Sequence, residues 1–294
     1  MKLQFISIKP TSFDNCTTLY ELTMKEKIVL ITGATDGIGK QTALDLAKAG
    51  ATVLLHGRNP KRLIETMSDI RAKLPGIKLD CFNADFASLN AIRKMVVDLR
   101  QKYSRLDVLI NNAGVFMKTR ELSHDGYEMT FAVNHLAHFF LTHLCMPLLK
   151  ASSEPRVITV SSIAHMRATL DMDNLQGEKK FEGYNAYSLS KLANVLFAVE
   201  LANTMKGSTL TSNALHPGVI STKLLEAGFA MKGASLEEGA ETSVYLAMSP
   251  EVAGVSGKYF VKKRPQAYNP IADNSEIRKR FWEHSCRLVG ITDF

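Results

Sequence analysis

Ile28-Val29-Leu30-Ile31-Thr32-Gly33-Ala34-Thr35-Asp36-Gly37-Ile38-Gly39, followed by a helical stretch from Gln41 to Ala49, decides the fold of this chain. The continuous apolar run Ile28 to Ile31 predicts a short strand buried on both faces. Glycines at Gly-x3-Gly-x-Gly spacing let the backbone turn tightly and approach a ligand closely. The helix that follows opens with free N–H groups and the positive end of its dipole, which together suit a pyrophosphate. The spacing differs from the Gly-x-Gly-x-x-Gly fingerprint. Its place between a first strand and a first helix is what distinguishes a phosphate-binding turn, here Gly33, Thr35, Asp36, Gly37, Ile38 and Gly39, from a plain turn.

Outward from that turn, strands and helices alternate. Thr52-Val53-Leu54-Leu55 reads as a second strand and Pro60 to Lys73 as a helix with proline in its first turn. Pro75-Gly76 leads into a third strand, Ile77 to Phe82, then an amphipathic helix over 87–103 and a fourth strand, Val108-Leu109-Ile110. A long helix over 125–150, a fifth strand from Val157 to Val160, a helix over 185–206, a sixth strand from Leu210 to Leu215, a helix over 236–248 and a seventh strand from Lys258 to Val261 complete the pattern. This alternation predicts an α/β architecture: a doubly wound Rossmann fold with a single seven-stranded parallel sheet and helices on both faces. No linker-like shift in composition and no internal repeat interrupts it, so residues 24–294 read as one domain behind an N-terminal extension, 1–23.

Ligands of such sheets lie beyond the carboxyl ends of the strands, and polar residues collect where those ends are expected. The second strand leads into Leu55-His56-Gly57-Arg58. An NAD site usually has Asp or Glu here for the ribose 2′-OH; this chain has none, and Arg58 can hold a 2′-phosphate bidentately. NADP(H) is therefore favoured over NAD(H), the bland reading of Arg58 being an exposed surface charge. Tyr187 and Lys191 stand four apart, on one face of a helix. An ammonium near a phenol favours its ionised form and lowers its pKa from about 10, which suits a general acid or base. Ser161-Ser162 ends the fifth strand, Asn111-Asn112-Ala113-Gly114 ends the fourth, and Asn134 is polar within the apolar run Phe131 to Leu136. Each alone reads as a cap, a turn or a backbone-bonding residue; together they fall on one predicted edge.

In these motifs the chain resembles a short-chain dehydrogenase/reductase over about residues 25 to 290. The motifs are Thr32-Gly33-x3-Gly37-x-Gly39, Asn111-Asn112-Ala113-Gly114, Ser162, Tyr187-x3-Lys191 and Pro217-Gly218. Asn134-His135-Leu136-Ala137-His138-Phe139, Val160-Ser161-Ser162-Ile163-Ala164-His165, Asn174-Leu175-Gln176-Gly177, Ser190-Lys191-Leu192-Ala193-Asn194, His216-Pro217-Gly218 and Trp282-Glu283-x-Ser285-Cys286 are similar to the branch of retinol dehydrogenases and WW-domain oxidoreductases. The resemblance implies an NAD(P)-binding Rossmann domain and a catalytic set of Asn134, Ser162, Tyr187 and Lys191. Tyr187 exchanges a proton with the substrate oxygen, and Lys191 lowers the Tyr187 pKa and binds the nicotinamide ribose. Ser162 bonds the substrate oxygen, and Asn134 holds a water that links Lys191 to solvent. It further implies that Asp85 and Phe86 meet the adenine and that Asn111, Ala113 and Gly114 line the cofactor by backbone. Pro217, Ile220 and Thr222 lie toward the carboxamide. Family members pair as homodimers or homotetramers through the two long helices.

The expected substrate is a small hydrophobic carbonyl compound or its alcohol. Its pocket is expected from Val115 to Arg120, from the loop Met166 to Gly183, with Lys179, Lys180 and Phe181, and from the apolar stretch Leu224 to Ala234. A cofactor-binding sensor or scaffold without turnover is the competing reading, against which all four catalytic residue types are present. The histidines show no metal spacing, and His135, His138 and His143 read as packing or polar-face residues on one helix.

Composition sets the outer limits. With 294 residues, 46% of them hydrophobic, the chain buries a large core, which excludes a mainly disordered protein. No apolar run approaches the ~20 residues of a spanning helix, and residues 1–23 lack a signal peptide's apolar stretch. Four scattered cysteines, Cys16, Cys81, Cys145 and Cys286, fit reduced thiols in a cytoplasmic compartment. The Asn15 sequon carries no meaning without secretion. The net charge of +7 raises nucleic acid as a partner, but no recognition motif supports it. Eight basic and four acidic residues fall between Lys258 and Phe294, read as a solvated face or a weak contact with an anionic membrane surface.

Overall fold

The computed structural model describes residues 24–228, 232–292 and 294. The 1–23 segment, with Asn15 and Cys16, and residues Phe229, Ala230 and Met231 of the apolar stretch lie outside the described residues.

The strands are β1 (Ile28–Ile31), β2 (Thr52–Gly57), β3 (Leu79–Asn83), β4 (Val108–Asn111), β5 (Arg156–Val160), β6 (Thr211–His216), β7 (Tyr259–Val261) and β8 (Arg264–Gln266). They form one sheet in the order β3-β2-β1-β4-β5-β6-β7-β8. β1 to β7 are parallel, with Leu30 opposite Leu54 on one side and Leu109 on the other. The strand order reverses at β1, where β2 and β4 flank it, so the crevice for a ligand opens beyond the ends of β1 and β4.

The two-residue alternation of side chains divides the apolar strands between two cores. Leu30, Leu54, Leu109 and Val157 face one layer; Val29, Ile31, Val53, Leu55, Val108, Ile110, Ile158 and Val160 face the other. On the second face lie α1 (Gly37–Lys48), α2 (Pro60–Lys73) and α8 (Leu236–Met248). On the first lie α3 (Leu89–Lys102), α5 (Ala137–Lys150), α6 (Gly183–Thr204) and α9 (Ser275–Val289). Side-chain caps start these helices where the sequence offers them: Asp36 caps α1, Asn59 α2 ahead of Pro60, Ser88 α3, and Asn274 α9.

The sheet has eight strands, not seven, and the eighth runs antiparallel. β7 and β8 join through Lys262 and Lys263, both at positive φ (48° and 63°). Such hairpin turns favour Asn and Gly, so nothing in Lys-Lys announces one. Pro265 fits there because β8 is the edge, where a missing N–H costs no ladder bond. The expected helix over 125–150 begins only at α4 (Met129–Phe131), passes through a π segment (Ala132–Leu136), and runs on as α5.

Helix α9 lies outside α6. Its Trp282 stacks on Phe197 at 5.9 Å and meets Phe139 at 4.9 Å, and Phe294 closes the cluster at 4.6 Å from Trp282. Arg278 reaches in to Glu200 of α6 at 2.9 Å, both side chains 10% exposed, and also donates to the Ala272 carbonyl. Arg278 thus accounts for one charge of the basic C-terminal excess. Arg278→Ala is expected to destabilise the fold by about 3–5 kcal/mol, since it leaves a buried carboxylate unpaired. Thermal unfolding checks it, and an unchanged Tm would show the pair to be dispensable.

Candidate active site

The turn after β1 is packed too closely for any side chain at two of its glycines. A Cβ on Gly33 (φ +65°) would come 2.9 Å from the Ala113 Cα, and one on Gly39 would come 2.3 Å from the Gly33 carbonyl oxygen. Thr32 fastens this turn to the end of β4: its Oγ1 accepts the N–H groups of Asn112 (2.8 Å) and Ala113 (2.9 Å), while Asn112 Nδ2 donates to the Thr32 carbonyl at 2.8 Å. Beyond it lies a cavity of about 1090 Å³. At one end stand Arg58, Asp85 and Phe86; at the other, Ser162, Tyr187 and Lys191. That span and the glycine cradle fit a dinucleotide with a small substrate beside it.

Of the expected cofactor residues, Gly33, Thr35, Asp36, Gly37, Ile38, Gly39, Arg58, Asp85, Phe86, Ala113, Gly114, Pro217, Ile220 and Thr222 all line this cavity, as do Tyr187 and Lys191. Asn111 does not. As the last residue of β4 it points to the opposite face, fully buried, with its amide nitrogen 3.2 Å from Thr142 Oγ1; Asn112 lines the cavity instead.

Asp36 receives two cations that sequence reasoning missed: Arg62 at 2.9 Å, from the first turn of α2, and Lys223 at 2.7 Å, from the short helix α7 (Lys223–Gly228). Burial pushes the Asp36 carboxyl up, but the bonds from Lys223, Arg62 and the Gly37 N–H outweigh it and hold it below the ordinary carboxylate range. These contacts join residues far apart in the chain, so no local pattern signals them. His56, also missed, stacks on Phe86 at 4.0 Å and accepts the Gly33 N–H.

Of the four residues expected to be catalytic, Ser162, Tyr187 and Lys191 meet at the other end, whereas Asn134 is fully buried behind the cavity wall and does not line it. Tyr187 is 6% exposed and Lys191 3%, one turn apart on α6. Ser162 stands at the end of β5, caps the Ala164 N–H at 3.2 Å and hydrogen-bonds the Tyr187 phenol. Lys191 Nζ donates to the Val160 carbonyl at 3.2 Å and lies 5.6 Å from the centre of the Tyr187 ring. In this arrangement the Tyr187 pKa moves opposite to expectation. Burial pushes the phenol up to about 12, against the pull of the Ser162 bond, and burial alone lowers Lys191 to about 8. Desolvation of each group outweighs their mutual attraction at this separation.

Asn134 is placed by the π segment, in which the Ala137 N–H reaches back five residues to Ala132. Such segments recur at functional sites. The Asn134 amide spans the loop after β4: Oδ1 accepts the Val115 N–H (2.8 Å), and Nδ2 donates to the Val115 carbonyl and to Ser190 Oγ (both 3.0 Å). A Cβ on Gly114 would lie 3.4 Å from Asn134 Oδ1 and 3.6 Å from Lys191 Nζ, so the two polar ends flank one point.

The substrate side is apolar. Val115, Met117, Ile163, Met166, Val219 and Leu225 line it, with Tyr184 among them. From the expected loop, Met166 and Arg167 line the cavity, whereas Lys179, Lys180 and Phe181 do not. Among the described residues no cluster of ligating side chains suits a metal ion, and no helix is long and apolar enough to cross a membrane.

The short chain dehydrogenase family profile matches residues 27–233. Retinol dehydrogenase 13 of Homo sapiens is 41% identical over 285 residues, covering 92% of this chain and 86% of its own. Polyprenol dehydrogenase of Homo sapiens is 36% identical over 285 residues, covering 91% and 86%. Among solved structures, an uncharacterized protein of Mycobacterium paratuberculosis superposes with a TM-score of 0.78 at 29% identity, covering 92% of this chain and 96% of its own. A Beutenbergia cavernae structure with bound NADP, named for NAD(P) dependent gluconate 5-dehydrogenase, does so with 0.69 at 26% identity, covering 82% and 97%.

Proposed function

The chain belongs to the short-chain dehydrogenase family, in its retinol dehydrogenase-like branch, and is an NAD(P)-dependent oxidoreductase of CH–OH and C=O groups; on that premise we propose that it prefers NADP(H) and interconverts a hydrophobic carbonyl compound with its alcohol. The observation that carries this reading is the meeting of Ser162, Tyr187 and Lys191 with an apolar wall at one end of the cavity that begins at the glycine turn. The names of the relatives, retinol and polyprenol dehydrogenases, favour a hydrophobic alcohol as substrate.

In this reading the nicotinamide, when bound, supplies the hydride and, in its oxidised form, a positive charge. The protein's part is position and protons. Ser162 donates to the substrate oxygen and keeps it beside Tyr187. Tyr187, protonated at neutral pH, gives its proton to the oxygen of a reduced carbonyl, or takes one from an alcohol in reverse. Lys191 would replenish that proton and hold the cofactor's ribose. Asn134 pins the loop carrying Gly114 and Val115, and its bond to Ser190 joins it to α6. Gly33, Thr35, Gly37, Ile38 and Gly39 would cradle the pyrophosphate, Asp85 and Phe86 would meet the adenine, and Ala113, Gly114, Pro217, Ile220 and Thr222 would hold the nicotinamide half.

Turnover of a panel of apolar aldehydes, ketones and alcohols with NADPH or NADP tests the activity. Tight NADPH binding with no turnover across it would favour the sensor reading. The preference for NADP(H) rests on Arg58 at the adenine end. Arg58→Ala is expected to raise the KM for NADPH at least about tenfold, by loss of a charge-assisted phosphate contact, and to leave that for NADH nearly unchanged. An unaltered NADPH/NADH ratio would remove Arg58 from the assignment.

The thiols of Cys81 and Cys145 fit the reducing, cytoplasmic-type compartment expected. Residues 191–201 of α6 are all buried within one chain, under α9. A homodimer or homotetramer would therefore use a surface other than the outer face of α6.

A further inference from the structure

His138 lies one helical turn past Asn134, 1% exposed. Its Nδ1 is 3.0 Å from the Asn134 carbonyl oxygen and its Nε2 is 2.9 Å from Thr32 Oγ1. The available hydrogens fix both roles. A carbonyl only accepts, so Nδ1 carries the proton and donates it to Asn134. Thr32 Oγ1 already accepts two backbone N–H groups, from Asn112 and Ala113, which uses both its lone pairs. Its one hydrogen is left to give, and Nε2 at 2.9 Å is nearer than the Ile110 carbonyl at 3.3 Å. Nε2 therefore accepts, and the ring is a neutral imidazole in a single tautomer.

We propose that His138 is a positioning residue for the reaction: it holds the carbonyl of Asn134 within the π segment and ties that segment, through Thr32, to the turn that cradles the cofactor. One ring thus links the π segment to the glycine turn. On one side it sets the amide of Asn134 against Val115 and Ser190; on the other it orients the hydroxyl that joins β1 to Asn112 and Ala113. Burial agrees with the neutral form, lowering the ring to about 3, with Lys191 and His56 adding to the effect against the bond to Asn134. The edge of His138 also meets Phe86 at 5.5 Å, which a phenyl ring can keep.

The inference rests on the reading of Asn134 as part of the catalytic set. His138→Phe keeps ring volume and removes both hydrogen bonds; His138→Asn restores a short donor toward the Asn134 carbonyl. The Phe variant is expected to lose about 10- to 100-fold in kcat, as a site misplaced by a fraction of an ångström does. Its KM for the carbonyl substrate should stay within about twofold, its pH–rate profile should shift, and the Asn variant should recover much of kcat. Wild-type kcat in the Phe variant would overturn the proposal, as would an equal loss in both variants with an unmoved pH profile. Asn134→Ala is measured beside them: if it alone is fully active, the reading of Asn134 falls, whereas an inactive Asn134→Ala with a fully active His138→Phe overturns only the role of His138. Nitrogen-15 spectra of the histidines in the unaltered protein give a test free of folding defects. One neutral ring protonated at Nδ1 and not titrating between pH 6 and 8 is expected for His138; protonation at Nε2, or titration in that range, would overturn it.

Discussion

Tyr187→Phe is expected to cost about 10²- to 10⁴-fold in kcat, the range that one positioned proton donor supplies, while NADPH still binds within about twofold. The phenyl ring keeps the packing of a side chain that is 6% exposed and beside Phe116 at 5.7 Å, and loses only the hydroxyl that meets Ser162. The pH dependence has a definite sign. With the phenol pushed up to about 12 by burial, Tyr187 stays protonated through neutral pH. Carbonyl reduction, which needs the acid form, should be flat from pH 6 to 8 and fall in alkali; alcohol oxidation, which needs the base, should rise over the same interval. Initial rates in both directions, with NADPH fluorescence for binding, check both statements. Full activity of the Phe variant would sink the mechanism.

The second large effect is on stability in mild acid. His56, His135 and His138 are fully buried, and burial lowers them from 6.5 to about 4, 3 and 3. Their folded pKa lies below the unfolded one. Above pH 6.5 both states are neutral and stability is full; as pH falls, the unfolded chain binds protons that the folded one refuses. Each histidine then removes about 1.4 kcal/mol per pH unit, so the three together remove about 4 kcal/mol per unit. Between pH 6.5 and 5 that amounts to about 6 kcal/mol, a large share of a usual total of about 5–15 kcal/mol, so stability should fall steeply in this interval. His216, lowered to about 4, acts in the same direction, whereas Asp45 and Glu128, raised by burial, oppose it. Denaturant midpoints at pH 7.5, 6 and 5.5 measure the loss. A constant midpoint would show that these rings gain protons without unfolding.

What the sequence made legible was whatever depends on neighbours along the chain. The apolar runs of β1, β4 and β5 sort by alternate residues into two cores, so their strands were readable. The glycine turn, Ser162 and the Tyr187–Lys191 pair lie where strand ends and helical spacing put them. What escaped depends on partners far away. No residue pattern marks the extra turn at Ala132–Leu136, β8 hangs on a turn of two lysines, and Asp36 finds Arg62 and Lys223 only once the chain is folded. The direction of Asn111 followed from where β4 ends. The Tyr187 shift followed from burial, which spacing does not report. Helix α9 was readable in principle: the Asn274 cap, Ile277 and Phe281 at helical spacing and Gly290 after the end were present, under a dense coat of arginine and lysine.

The two walls of the cavity differ in what they cost to disturb. Lys191 opens a stretch of α6, residues 191–201, that is buried throughout, and such segments exchange their amide hydrogens only when most of the molecule opens. The opposite wall crosses the cleft through Lys223 on Asp36, side chains 76% and 49% exposed, and an ion pair so open to water is worth at most about 1 kcal/mol. Parting that pair therefore costs little, and less still as salt rises, whereas the enclosed stretch of α6 that carries Lys191 yields only with the fold.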